Sequence, residues 1–222
     1  MTKAKSYKSA KDFRVALERR LQKHAADSGL NLQRLLAGAA TADLGDFFGF
    51  EIGGVQMELD GPIYGGARYP VRAIVDDRLF VSFHVDVAVG DFIPEKLETA
   101  YEQGLLSFAG IKPAAFPLLP KEVQFAEKLH SYTMPRSVPN SRVRDLVDMV
   151  LLIKEGSLST AKTKDALRSV FDRRKSHPVP AALAPAPAAW GKRFSEMAGD
   201  CGLKADLEAG FDILNRFYLK SV

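Results

Sequence analysis

Apolar residues recur at every second position between residues 47 and 89, and at helical spacing beyond residue 92. This switch of period limits the possible folds more than any other feature of the chain. FFGFEI, VQMELD, ARYPVRAIV and RLFVSFHVDVAV read as strands separated by Gly-Gly, Gly-Pro and Asp-Asp breaks. The last two are expected to pair as a hairpin around Asp76 and Asp77. Helices are expected over Glu95–Gln103, Lys121–Tyr132, Val143–Ile153, Thr160–Arg174 and Leu207–Lys220. Pro178, Pro180, Pro185 and Pro187 make residues 178–189 an extended Pro/Ala connector. A strand block followed by a helix block argues for an α+β fold.

A further helix is expected over residues 9–28, ahead of the strands. Ser9 can cap it, with Asp12 at the reciprocal position of a capping box, and Gly29 is a plausible stop. Phe13, Leu17, Leu21 and Ala25 form its apolar stripe. Lys11, Arg14, Arg19, Arg20 and Lys23 lie largely off that stripe, as a solvated face or as a patch for nucleic-acid phosphates.

The 222 residues suffice for one large domain or two small ones. A formal charge of +4 permits a nucleic-acid or nucleotide partner without demanding one. The single cysteine, Cys201, excludes an internal disulfide and points to a reducing, cytoplasmic setting. The basic start MTKAKSYKSAKDF has no apolar segment and does not read as a signal peptide. No apolar run suggests a membrane partner.

Three places could carry chemistry. In RLFVSFHVDVAVGD, alternation puts Val81, Phe83, Val85, Val87 and Val89 on one face, and Phe80, Ser82, His84, Asp86 and Ala88 on the other. Asp86 in so apolar a strand needs a partner, either a metal or an arginine such as Arg72 on the neighbouring strand. In KEVQFAEKLHSY, Gln124 and Lys128 share a helix face beside the stripe Phe125, Leu129, Tyr132. Lys128 either snorkels to water or binds phosphate in a cleft. In NSRVRDLVDMVLLIK, Asn140 or Ser141 can cap a helix, and Asp145 and Asp148 sit on one side near its positive end. With Arg142 and Arg144 they form an ion-pair network or orient a base, a metal or a nucleotide. The histidines at 24, 84, 130 and 177 have no metal spacing, and the glycine pairs lack the setting of a phosphate loop.

Taken in order, DLGDFFGFEIG, YPVRAIVDDRLFVSFHVDVAVGD, LLSFAGI, QFAEKLHSYT, NSRVRDLVDMVLL and FDRRKSHPVPAALAPAPAAW resemble the AbiEii-type abortive-infection toxins, nucleotidyltransferases similar to the DNA polymerase β superfamily. The head KDFRVALERRLQKHAADSGLNLQRLL resembles the usual family start. The resemblance implies Mg²⁺-dependent transfer of a nucleotidyl group from a nucleoside triphosphate to an acceptor, often tRNA, and neutralisation by an antitoxin. It implies that Asp86 is the metal-site carboxylate of the strand and Lys128 the phosphate-contacting lysine. It makes Asp145, with Asp148 beside it, the acid of the last motif. Arg142 and Arg144 would contact phosphates, and Asp86, Lys128 and Asp145 would serve one cleft.

The resemblance also implies an internal deletion after about Leu36. A full member has several tens of further residues there, holding a Gly-Gly helix start and a strand with an Asp-x-Asp pair. Asp43, Asp46 and Asp91 are the other acids nearby. The expected domains are an N-terminal helical segment, 1–36, a partial nucleotidyltransferase-like mixed sheet, 37–93, and a helical C-terminal region, 94–222. An incomplete sheet leaves a bare edge and invites homo-oligomerisation. The same departure admits another function: an inactive relative that binds nucleotide, RNA or an antitoxin.

Overall fold

The computed structural model describes residues 7, 9–42, 47–59, 64–89, 93–94, 96–102, 104–156 and 158–222. Asp43, Asp46 and Asp91 lie outside them. The fold is α+β, with antiparallel sheets in the N-terminal half and helices in the C-terminal half. Two compact units divide between Leu118 and Leu119.

The first unit opens with α1 (Ala10–Ser28) and α2 (Leu32–Ala42). Ser9 caps α1 by accepting the Asp12 N–H at 3.1 Å, and Gly29, at φ 70°, ends it by donating to the Ala25 carbonyl. The strands follow as β1 (Gly49–Ile52), β2 (Met57–Leu59), β3 (Gly66–Val75) and β4 (Arg78–Ala88). β3 is central: β4 pairs along one side of it, and β1 and β2 share the other. Asp76 and Asp77 both have positive φ, 54° and 53°, the type I′ geometry that matches strand twist in a two-residue hairpin.

Alternation along β4 holds except at Phe80. A bulge between Ala73 and Ile74 pairs Val81 with Ala73 but Leu79 with Ile74. Phe80 is the extra residue, and a bulge re-aims such a side chain. Phe80 therefore packs edge-on against Phe48, 5.1 Å away, and not among the polar residues of the other face. Phe13, Leu17, Leu21, Leu35, Ala73 and Val81 are buried together as the core of this unit.

Two further strands, β5 (Glu98–Tyr101) and β6 (Ala115–Leu118), pair antiparallel as a separate ribbon. The helix expected over Glu95–Gln103 is therefore a strand over Glu98–Tyr101. Thr99 and Tyr101 suit a pleated surface, and β6 supplies the backbone partners. Glu102 then accepts the N–H groups of Gly104 and Leu105, which turns the chain.

The second unit holds α3 (Lys121–Thr133), α4 (Val143–Lys154), α5 (Thr160–Arg174), α6 (Gly191–Asp200) and α7 (Leu207–Ser221). Phe125, Leu129, Leu146, Met149, Leu167, Phe194, Leu214 and Tyr218 are its buried centre. Glu127 ties α3 to α5 through Arg173 at 2.6 Å and Arg174 at 2.7 Å. The Pro/Ala connector is irregular up to Pro187, ends in a 3-10 turn over Ala188–Trp190, and is pinned. Tyr132 donates to the Ala184 carbonyl, Tyr218 to the Pro180 carbonyl, and the Trp190 indole to the Asn140 carbonyl.

Packing in this unit makes two predictions. A Cβ built on Gly210 would lie 2.4 Å from the ring of Phe194. Gly210→Ala would add about 1 kcal/mol of helix propensity on an open helix. Here it lowers the melting temperature, because overpacking costs about 1–3 kcal/mol. His130 is buried, bonded to Ser176 at 2.7 Å and stacked near His177. Burial, with the charges of His177, Arg174 and Arg173, pulls its pKa down to about 4. The unfolded chain protonates near 6.5 and the native state does not. Above that pH this group adds no pH dependence, and stability falls between about 6.5 and 4, by up to about 3 kcal/mol. Denaturant unfolding at pH 7 and pH 4.5 measures that loss, and His130→Gln reduces it.

Candidate functional site

The sheet carries Asp86 on its polar face. Register places it directly opposite Arg68, and the guanidinium grips both carboxylate oxygens at 2.7 Å. The hydrogen bond from Arg68 holds the Asp86 carboxyl below the usual carboxylate range. The arginine partner is thus Arg68 and not Arg72, which faces Ser82 and Glu51 and pairs with Glu51 at 2.8 Å. Direct opposition decides the choice, since cross-strand neighbours are the ones that meet. Asp86 is about half exposed in this pairing.

The helical unit brings the other candidates together. Lys128 lies on α3, flanked by the buried residues Phe125, Leu129 and Tyr132. Its ammonium reaches across to α4, 2.6 Å from Asp148 and 3.9 Å from Asp145. Asp145 sits in the first turn of α4, where the helix dipole favours an anion. Arg142, just before that turn, stands 3.9 Å from the other Asp145 oxygen. The loop leading in is held by Asn140, whose side chain donates to the Tyr132 carbonyl and accepts the Arg142 N–H. Asn140 thus shapes an Asx turn before the helix, and no side-chain cap bonds to α4 itself. Arg144, next along, is exposed and, among the described residues, forms no ion pair with these acids.

Asp145 is the unusual member. One carboxylate oxygen is buried with no hydrogen-bond donor. Burial raises its pKa above the ordinary value, against the opposing pull of Lys128, Arg142 and Arg136. Arg136 follows α3 and donates to the Ser131 carbonyl at 2.9 Å, leaving its Nε buried without a partner. It was not legible beforehand, because its role depends on how the loop after α3 folds back. Lys128, Arg136 and Arg142 outnumber Asp145 and Asp148, so the cluster carries excess positive charge around a half-buried acid.

A Mg²⁺ cage needs several convergent oxygen ligands. Among the described residues, no group of three or more His, Cys, Asp or Glu side chains is placed to hold a metal ion. Asp86 spends both oxygens on Arg68, and Asp148 one on Lys128. These carboxylates do not fit the ion without rearrangement.

The raised Asp145 pKa has a consequence for stability. The native state binds a proton that the unfolded chain has already lost, so stability falls as pH rises through that window and stays lower at neutral pH. Asp145→Asn is expected to raise the melting temperature at pH 7. Asp148→Asn, which removes a partly exposed pair, is expected to cost about 0.5–1 kcal/mol. Thermal melts of the two variants give opposite signs if Asp145 is held at the expense of stability.

The comparisons with known proteins agree with the residue pattern. A family model described as nucleotidyl transferase AbiEii toxin, type IV TA system, matches residues 12–215. No curated protein matches the chain. No helix among the described residues is long and apolar enough to cross a membrane. With the match spanning both the sheet and the helices, the chain belongs to the AbiEii nucleotidyltransferase toxin family of type IV toxin–antitoxin systems.

Proposed function

We propose that the helical unit of this chain is a nucleoside-triphosphate site that binds phosphate but has lost most nucleotidyl transfer. Family membership implies a nucleoside triphosphate as substrate and a cognate antitoxin as partner. The observation that carries the reading is Lys128, held between Asp145 and Asp148 within an excess of positive charge. A polyphosphate is the ligand class that such a lysine, with Arg142 beside it, attracts. When phosphate takes over Lys128, Asp148 gives up its partner. Asp145 then offers its unpaired oxygen to the acceptor hydroxyl, the group whose proton must leave in the transfer. The acceptor we assign is RNA bearing such a hydroxyl, tRNA above all.

The resemblance implies a deletion after Leu36, which would remove the carboxylates that position the metal in full members and so impair transfer. A single lost electrostatic donor costs on the order of 10²–10³ in rate, and a lost metal site costs more.

The purified chain, Mg²⁺, each labelled triphosphate and bulk tRNA form the test. The expected outcome is triphosphate binding that Lys128→Ala weakens at least about tenfold, the size of a charged hydrogen bond, with no label on the RNA. Label transfer abolished by Asp145→Asn would establish an active enzyme and overturn the loss. Triphosphate binding unchanged by Lys128→Ala would remove the site itself and leave a protein that acts through its antitoxin.

A further inference from the structure

We propose that the free edge of β4 pairs with the β4 edge of a second copy, antiparallel and centred on Val85, so that Asp86 of each copy faces His84 of the other. Among the described residues β4 pairs only with β3. Val89 exchanges backbone bonds with Gly65 and Tyr64, on the β3 side. By alternation Val87 and Val85 also turn their backbone groups to β3, and His84, Asp86 and Ala88 turn theirs outward. Ser82 confirms the phase, because its carbonyl points outward and is taken by the Gln33 side chain of α2 at 3.3 Å. α2 therefore covers the edge at Ser82, and among the described residues no strand bonds to the outer edge from His84 to Ala88. On one face the exposed side chains along it are apolar, with Val85 at 43%, Val87 at 47% and Val89 at 55%, and the other face carries the exposed His84 and Asp86. An apolar open edge is a template for another strand.

Charge selects the second copy and its register. In a twofold antiparallel pair, outward-facing residues must oppose outward-facing residues. A centre on Asp86 sets two carboxylates against each other, which is unfavourable. A centre on Phe83 or His84 runs Asp86 into Phe80 or Ser82, where α2 stands. A centre on Val87 leaves Asp86 against Ala88. A centre on Val85 sets Asp86 against His84 twice, aligns Val85 with itself and puts Val87 against Phe83. The edge is self-complementary in this register.

Sedimentation over a range of concentrations should show a dimer. In a Cys201→Ser background, Val85→Cys should cross-link rapidly, because paired Cα atoms at a non-hydrogen-bonded position lie about 4.5 Å apart, within disulfide range. Val87→Cys should not, since its copies would stand roughly 14 Å apart along the strands. His84→Asp should weaken the dimer about tenfold or more and His84→Lys should keep it. His84→Pro, which removes only an outward-facing N–H, should give a folded monomer. A monomer at every concentration overturns the proposal. So does a dimer that survives both His84→Asp and His84→Pro, or one that cross-links as fast through Val87→Cys. Circular dichroism separates lost pairing from lost folding, and the His84→Asp and His84→Lys pair decides the matter if the proline variant does not fold.

Discussion

β3 is the strand on which the larger sheet depends, because among the described residues every other strand of that sheet bonds to it and to no other. Its two sides are unequal. β1 and β2 divide one side between them, and β4 follows the other for its full length. The positions of Arg68, Arg72, Asp86 and Ser82 all follow from that single pairing, including which cation meets which acid. It also leaves the outer edge of β4 without a bonded strand among the described residues. The polar face needs no cover, since Glu51, Arg72, Arg68 and Asp86 satisfy one another there. The opposite face is covered by α1 and α2 only as far as their apolar stripes reach. The residues past that cover, Val85 and Val87, are left in water.

The helical unit is governed by a different constraint. A carboxylate taken partly out of water must be compensated or it loses its charge. Asp145 is compensated by field more than by contact, with cations at 3.9 Å and a buried oxygen without a donor. Asp148, by contrast, has a direct partner in Lys128. A network evolved for stability alone would give the buried acid the short contact and leave the exposed one loose. Here the order is reversed, which is the arrangement expected where an acid must stay available to something that arrives.

Much of this was legible in the sequence because it rests on period and punctuation. The ends of α1, the Asp76–Asp77 hairpin, α5 over Thr160–Arg174 and the shared side of Asp145 and Asp148 follow from local chemistry. What escaped was set by partners distant in sequence. β5 is a strand because Ala115–Leu118 lies beside it, and nothing within Glu98–Tyr101 announces that. Phe80 enters the core because of a bulge created opposite it. α2 and α6 were not foreseen, since Leu32–Ala42 is small and short and Gly191–Asp200 follows a proline-rich stretch. His130 and His177 meet only when the turn after α5 folds back on α3, so their spacing could not reveal them. Among the site residues, Lys128, Asp145, Asp148 and Arg142 come together, while Arg144 does not join them.

Asp86 shows how a strand carboxylate can be compensated within its own sheet. A strand carboxylate beside other carboxylates needs a cation between them, and a divalent ion is the strongest available. A strand carboxylate that stands alone still needs positive charge, but one guanidinium is enough. Arg68 supplies it bidentately from the directly opposed position and takes both oxygens. A metal ion could use Asp86 only after displacing that fork, whose geometry matches a carboxylate better than a single coordinating ligand would. The pairing is also on the exposed face, where water weakens it and lets it exchange. Asp86 is therefore held ionised and oriented by its own sheet, through one directly opposed guanidinium.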